Sequence, residues 1–464
     1  GGARRLQGRY GFESLRLLGD ASLTLDAGVR SVGAAQVDVL ATSRVTVLGP
    51  RTTQLRLVAR DGLRLAPGAA IRADGVGFAG GERDASCFEG EDAGEGGMHG
   101  GGPAGQTCGD YEWPVLAGAG GSGGASGGSG GGSLLILCNF TASSSVDLAG
   151  LVTVDGHAGS GSSGAGGAGG SLVVVAGQLS VTGTLSADGG AASASSNANG
   201  GSGGRIALHA YQPAWATATG SVRTRAGAAQ GSWSAQAAAG TTLWCEGRAV
   251  SNVDAESNPH GCGSRRLEID NGDLPATTYF AQLNAIRPRA RFVIDHLYLG
   301  SPTSFSVRAP TAFHPETMPD ERSSIVLGNV SGPGVSASSI TVAAGTDWTV
   351  GPAQSSAADP FALGLRSLTV EEHGRLLLAW AVWLRATTVT VRGELSGVRH
   401  LTLDVGAAVS LGGSGGVWID NATGTGVDRE WAAWACAAGV ASCSSAGGAR
   451  RLQGRYGFES LRLL

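Results

Sequence analysis

The sequence contains no lysine, so all 33 of its basic residues are arginine. This absence excludes chemistry that needs a lysine amine, such as a Schiff base or the phosphate contact of a P-loop. Charged residues make up only 15% of the chain, a small share for a soluble globular protein. The net charge is −4 and the arginines are scattered along the chain. We therefore expect no nucleic-acid partner and no attraction to an anionic membrane surface.

Long apolar segments are also missing. The most apolar run covers residues 376–384 and lies between Arg375 and Arg385. A helix that crosses a bilayer needs roughly 20 apolar residues, so the sequence predicts no membrane span. Helical periodicity is nearly absent as well, and the one candidate helix covers residues 430–438.

The chain has cysteines, but none has the Cys-x-x-Cys spacing of a metal site. Six of the seven cysteines fall into local pairs, which we predict to be disulfides that clip short loops. These pairs are Cys87 with Cys108, Cys245 with Cys262, and Cys436 with Cys443. Cys138 is left over, either as an inert thiol in the core or as one half of an intermolecular disulfide.

Three N-glycosylation sequons begin at Asn139, Asn329 and Asn421. Sequons together with separable cysteine pairs predict the secretory route and an extracellular location. Side chains alternate along a strand, so a glycan facing outward on Asn139 would place Cys138 inward, as a buried thiol.

What the chain does contain is short strands from end to end. Residues 23–25, 44–47 and 55–57 alternate apolar with polar side chains, as half-buried strands do. Further along, the apolar side chains of Leu179, Val181, Leu185 and Ala187 would share one face. The pattern predicts an all-β fold.

The 80 glycines are concentrated in runs that recur. Residues 118–132, 156–170 and 189–204 are glycine-rich, and the last two follow Asp155-Gly156 and Asp188-Gly189 turns. A repeat of strand-forming residues plus a loop suits the coils of a parallel β-helix, a β-solenoid with Gly-rich loop insertions. Asp-Gly would supply positive φ at the corners. The glycine runs are either flexible linkers or ordered, stacked loops.

These patterns divide the chain into seven segments. The predicted segments are a first β-solenoid segment (1–75), a Gly-rich disulfide-clipped insertion (76–132), Gly-rich β-helix repeats (133–245), a disulfide-clipped insertion (246–290), a second β-solenoid segment (291–428), a Trp- and Cys-bearing connection (429–446) and a repeat of residues 1–18 (447–464).

Candidate catalytic groups are few. Asp74, Asp155 and Asp188 recur before glycine at corresponding turns, so they would form a ladder of carboxylates on adjacent coils. Paired or clustered carboxylates serve glycoside cleavage or calcium binding, but a structural role in the turn is the default interpretation. We predict no catalytic residue, no metal site and no cofactor.

The first 18 residues recur without change as residues 447–464. The repeat indicates a window on a tandem array, an engineered duplication or an overlap between successive copies in a continuous fibre. A solenoid exposes strand edges at its ends, and stacking one unit on the next covers them. We therefore predict an assembly junction at Leu15, Leu17, Leu461 and Leu463, with units stacked end to end.

The repeated glycine-rich strand sets of residues 54–227 resemble the Gly-rich β-helix repeats of very large extracellular proteins from algae and other protists, and of some bacterial adhesins. The resemblance implies a structural, non-catalytic unit of an extracellular filament, such as the flagellar hairs called mastigonemes. Its partners would be copies of itself, N-glycans and other cell-surface components. The alternatives are an adhesin or glycan-binding stalk, and a β-helix polysaccharide lyase or hydrolase.

Overall fold

A computed structural model describes most of the chain up to Ile419. The described residues are 4–48, 53–83, 98–102, 109–139, 141–194, 198–212, 214, 217–230, 237–247, 264–272, 274, 280–284, 291–301, 304–308, 323–331, 333, 335–343, 346–350, 361–371, 373–378, 382–397, 401–411 and 416–419. The chain forms two compact units, Gly1–Ala281 and Gln282–Leu464.

The first unit is built from strands, with one short 3-10 turn at Gly124–Ser126. Its strands are β1 (Arg4–Leu17), β2 (Ser22–Val39), β3 (Arg44–Val47), β4 (Leu55–Leu65), β5 (Ala70–Arg72), β6 (Gly101–Gly102), β7 (Ser133–Cys138), β8 (Ser145–Leu148), β9 (Leu151–Thr153), β10 (Ser171–Ala176), β11 (Gln178–Val181), β12 (Thr184–Ser186), β13 (Arg205–Ala210), β14 (Ser221–Arg223), β15 (Thr241–Glu246) and β16 (Ser264–Ile269), with β17 (Phe280–Asn284) at the boundary between the units.

The second unit has a second 3-10 turn at Val335–Ala337. Its strands are β18 (Arg291–Leu299), β19 (Ser304–Arg308), β20 (Ser323–Ser331), β21 (Ser339–Val342), β22 (Thr346–Val350), β23 (Phe361–Val370), β24 (Arg375–Leu378), β25 (Val382–Val391), β26 (Glu394–Gly397), β27 (Leu401–Leu411) and β28 (Gly416–Ile419). The predicted all-β fold is confirmed. Within the described residues, no helix is long and apolar enough to cross a membrane.

Three ladders of parallel strands organise the first unit. One ladder joins parts of β1 and β2 to β3, β5, β9, β12 and β14. A second joins β1, β2, β4, β7, β10, β13 and β15. A third joins β1, β2, β4, β8 and β11. From β7 to β12 the chain passes through the second, third and first ladders in that order twice, and we call each such pass a coil.

Each ladder carries a column of aligned apolar residues. Ile71, Val152 and Leu185 are aligned in the first ladder, and each is fully buried. Ile136 and Val174 are aligned in the second and are also fully buried. Columns from all three ladders belong to a single hydrophobic cluster. The alternation of β-branched and polar residues therefore produces strands that share one core.

The described residues of the second unit form two ladders of parallel strands. One joins β18, β20, β22, β24, β26 and β28. The other joins β19, β21, β23, β25 and β27. Phe305 on β19 and Trp348 on β22 meet edge to face, with 5.8 Å between ring centroids. Both side chains are buried, so this contact packs one ladder of the unit against the other.

The glycine-rich runs are ordered and hydrogen-bonded to one another, so the flexible-linker interpretation is wrong for their described residues. Their N–H donors recur every third residue, which is the period of a polyproline II helix. Gly127 has the matching dihedral angles, φ −65° and ψ 143°. Examples of these bonds, from donor to acceptor carbonyl, are Gly128 to Ala165, Gly131 to Ala168, Gly166 to Asn199 and Gly169 to Ser202.

Glycine is required in these loops mainly because neighbouring backbones approach closely. A Cβ atom on Gly156 or Gly189 would lie within 3.0 Å of backbone oxygens further along the same glycine-rich run. Positive φ occurs at Gly75, at 59°, but at neither Gly156 nor Gly189. The prediction that Asp-Gly supplies positive φ is therefore correct for Gly75 and wrong for the other two turns.

An antiparallel strand follows the last parallel strand of the second ladder. β16 pairs with β15 in antiparallel orientation, from Thr242 opposite Glu268 to Glu246 opposite Ser264. β16 belongs to the predicted insertion 246–290, and the boundary between the two units also falls there.

Candidate functional site

The first strand leaves a strand edge open. In the described part of the chain, β1 pairs with β2 alone, whereas β2 also pairs with β3 and β4. β1 therefore forms the outermost member of all three ladders. Unpaired N–H and C=O groups on such an edge can pair with another strand.

Apolar side chains accompany this open edge. Leu15 and Leu17, two of the predicted junction residues, are half-buried and pack against the core cluster. They lie opposite Val37 and Val39 of β2. Phe12 remains 40% exposed, and Leu18, just after the strand, is 60% exposed. The core thus ends at β1 with apolar surface that nothing in the described residues covers.

A column of alternating charge begins on the same strand. Arg16 on β1 lies opposite Asp38 on β2, which lies opposite Arg64 on β4, which lies opposite Asp147 on β8. Arg16 Nε is 3.0 Å from Asp38 Oδ2. Opposite charges on adjacent strands stabilise the pairing and its register. Arg16 is thus the last charge of the column at the open edge.

The three predicted turn carboxylates do form a ladder. Asp74 Oδ1 accepts the backbone N–H of Asp155 at 3.0 Å. Asp155 Oδ1 accepts the N–H of Asp188 at 2.7 Å, and Asp188 Oδ1 accepts the N–H of Arg225 at 2.8 Å. Each carboxylate therefore ties its own turn to the turn of the next coil. This is the structural role that the sequence favoured.

Hydroxyl groups complete the carboxylate ladder. Thr153 donates to Asp74 at 2.8 Å, and Ser186 donates to Asp155 at 2.6 Å. Burial raises the pKa of Asp155 to about 6, with the charges of Asp188 and Asp74 adding to the effect. The carboxylate oxygens are thus engaged in holding coils together. No group of three or more His, Cys, Asp or Glu placed to hold a metal ion occurs among the described residues.

A second polar cluster lies on the outer face of β10 and β13, beneath residues 98–102 and 109–116, which we call the cover segment. His99 Nδ1 donates to the Gly169 carbonyl at 2.8 Å, and Ser202 Oγ accepts the His99 N–H at 2.8 Å. Ser171 donates to the carbonyl of Leu116 at 2.5 Å. These bonds fasten the cover segment to the parallel strands.

His209 on β13 holds the cover segment at a further point, between its two ends. Its Nε2 donates to the Glu112 carbonyl at 2.8 Å, and its ring lies 5.4 Å from that of Trp113. Burial lowers the pKa of His209 to about 4, and burial together with the charge of Arg205 lowers that of His99 to about 4. Both rings are therefore neutral at pH 7. We find no chemistry for them beyond fastening the cover.

Of the other predicted site residues, some lie in the described part of the chain and others do not. Cys138 is buried in the core cluster, the position that the inert-thiol interpretation expected, and burial raises its pKa to about 11. Asn139 follows β7 and is exposed. Asn329 lies on β20, and Cys245 is buried on β15. The predicted disulfides and glycans stay predictions. The site residues outside the described part of the chain are Cys87, Cys108, Cys262, Cys436, Cys443, Asn421, Leu461 and Leu463.

Sequence reasoning missed the charge column and the two buried histidines. The column had a weak signal, because Arg16, Asp38 and Arg64 each stand between two apolar residues in the sequence. The histidines had none, since His99 and its acceptor Gly169 lie far apart in the chain.

Together, these features define an all-β protein of mostly parallel strands with an open strand edge at β1. No family model, curated protein or solved structure matches the chain.

Proposed function

We propose that the chain is a structural, non-catalytic repeat unit of an extracellular filament, formed of parallel β-helices that stack end to end. The β-helix is supported by the order in which the chain visits its three ladders and by the single core cluster that all three share. The extracellular location rests on the sequons and the cysteine pairs of the sequence.

The observation that carries the filament proposal is the open end at β1. An edge strand that also exposes apolar side chains is normally covered or blunted in a monomeric protein. Here Phe12 and Leu18 are exposed beside the outer edge of β1, on which the described residues place no second strand. Stacking another copy against this end would pair the edge and cover these apolar positions, which the repeat carries again as Phe458 and Leu464.

The carboxylate ladder supports a structural role over a polysaccharide-active enzyme. A general acid or nucleophile must be able to reach its substrate. In Asp74, Asp155 and Asp188, one carboxylate oxygen accepts a backbone N–H of the next coil. The same groups therefore serve better as clamps between coils than as a catalytic pair.

Electron microscopy of the purified chain tests this function. We expect filaments with a regular axial repeat. We expect serine at Phe12, Leu18 and the two identical positions of the repeat, Phe458 and Leu464, to shorten or abolish them. Leu48→Ser is the control, because Leu48 is a similarly exposed apolar residue, at 41%, away from β1. A wild-type chain that stays monomeric at high concentration, or a quadruple variant that assembles normally, would refute the proposal.

A further inference from the structure

The way β1 pairs with β2 indicates which strand β2 would bind at a junction between two copies. We propose that each junction holds a single copy of the repeated strand, with residues 450–463 of one chain pairing with β2 of the next chain in place of that chain's own β1. This inference rests on the proposed filament function and identifies the segment that joins one copy to another.

The first argument is that β2 has no means of distinguishing the two segments. Residues 450–463 are identical to the residues of β1 at every position. β1 pairs with β2 in parallel, from Arg4 opposite Leu23 to Leu17 opposite Val39. Every side chain that β2 contacts in β1 is therefore also present in residues 450–463.

The second argument concerns the charges that fix the register. Arg16 on β1 pairs with Asp38, whose other carboxylate oxygen accepts a hydrogen bond from Gln36 Nε2 at 3.1 Å. The residue equivalent to Arg16 is Arg462. In the exchanged arrangement Arg462 meets Asp38 of the next copy, and the alternating column continues across the junction.

The third argument excludes two copies of the strand stacked on each other. If residues 450–463 added in register to the open edge of β1, Arg462 would lie opposite Arg16, and Arg455 opposite Arg9. Paired strands are about 4.8 Å apart, and like charges directly opposite each other are destabilising. One strand at the junction avoids this repulsion, whereas two strands create it.

Exchange of an identical element also costs little, because the contacts that are lost with β1 are remade with its replacement. The exchanged strand also brings a second molecule to the junction. Residues 450–463 arrive attached to that molecule, which can cover the outer edge of the strand, where Phe458 and Leu464 take the places of Phe12 and Leu18.

A labelled peptide of residues 447–464 tests the exchange on the full-length chain, by fluorescence anisotropy. We expect saturable binding, and we expect the peptide with Arg462→Asp to bind roughly three- to tenfold more weakly, since an aspartate would then face Asp38. On the Asp38→Arg chain the order of the two peptides should reverse. This reciprocal variant is the control for nonspecific effects of peptide charge.

Addition of the peptide onto β1 predicts the opposite order, because the aspartate of the substituted peptide would face Arg16 and that peptide would bind more tightly to the wild-type chain. Tighter binding of the substituted peptide to the wild-type chain would overturn the exchange. Equal binding of both peptides, or the absence of saturable binding, would overturn it as well. Filaments without peptide binding would refute the exchange and leave the filament function standing. Peptide binding by a chain that never assembles would refute the filament function instead.

Discussion

The Asp155 carboxylate accepts a hydrogen bond from the backbone N–H of Asp188, with Oδ1 2.7 Å from the nitrogen. The bond joins turns on consecutive coils, and the same oxygen accepts the Ser186 hydroxyl. The carboxylate is partly withdrawn from water, and its pKa rises to about 6 for that reason. A clamp between coils therefore includes a group that changes charge in mildly acidic solution.

This shift gives Asp155 a definite pH dependence. Between about pH 4 and pH 6, the folded protein keeps a proton that the unfolded chain has released, so its stability falls as the pH rises through that range. Asp155→Asn removes the ionisation and keeps an acceptor oxygen. We expect the variant to gain stability relative to the wild type as the pH rises from about 4 to about 7, measured by urea unfolding. An Asp155→Asn effect that is the same at both ends of this range would contradict the assignment.

The buried ring of His209, at the cover segment, should make stability depend on pH in the opposite direction. The pKa of His209 is lowered to about 4 from 6.5, so the unfolded chain binds a proton in this range that the folded protein does not. The stability that the folded protein gains from this difference in proton binding is fully present above about pH 6.5. It is lost as the pH falls from there through 4. Replacing the ring removes this dependence along with its contacts to Glu112 and Trp113.

We predict that His209→Gln lowers the free energy of unfolding at pH 7 by about 1–3 kcal/mol, and that the difference from the wild type narrows toward about pH 4.5. Hydrogen exchange measured by mass spectrometry should show faster exchange in residues 109–117. His157→Gln is the control, because His157 is exposed. A difference that stays constant with pH would show that His209 is not kept neutral by burial.

The strands and the carboxylate ladder were predictable because their signals are local. Leu179, Val181 and Leu185 alternate with polar residues, and each is buried as expected. Asp155 and Asp188 stand before glycine at equivalent points of a repeat, so a shared column followed from the spacing alone.

Other features depend on register between segments that are far apart in the chain. The His99 contact with Gly169 requires knowing where the cover segment crosses the parallel strands. The reason for a glycine also depends on its neighbours: Gly75 adopts positive φ, whereas Gly156 leaves room for the backbone of Gly167. The two cases look the same in the sequence, since each glycine follows an aspartate.

Cys138 should be chemically silent in the folded protein. Its side chain is 1% exposed within the core cluster, and burial raises the thiol pKa to about 11. Because the thiolate is the reactive form, we expect no alkylation of Cys138 by iodoacetamide at about pH 8 until denaturant is added. Peptide mapping by mass spectrometry gives the extent of labelling. A cysteine introduced by Ser143→Cys, in the exposed turn that follows, should react in the native state. Rapid native labelling of Cys138 would place it outside the core.

The stacked glycine loops offer the sharpest test of close packing. A Cβ atom on Gly166 would lie within 3.0 Å of backbone atoms of both Gly190 and Gly201. These are main-chain atoms, so they are unable to move aside as a flexible side chain would. We expect Gly166→Ala to lower the free energy of unfolding by about 1–3 kcal/mol. Hydrogen exchange should accelerate in residues 156–170 and 189–204.

Gly33→Ala is the matched control for this prediction. A Cβ atom there would have its nearest neighbours at 3.8 Å, an ordinary contact distance. Alanine restricts the unfolded chain more than glycine does, so Gly33→Ala should be neutral or stabilising by up to about 1 kcal/mol. Equal effects of the two substitutions would mean that the glycine loops lie further apart than their hydrogen bonds imply. A large loss of stability for Gly166→Ala but not for Gly33→Ala would establish that the neighbouring backbones require glycine at position 166.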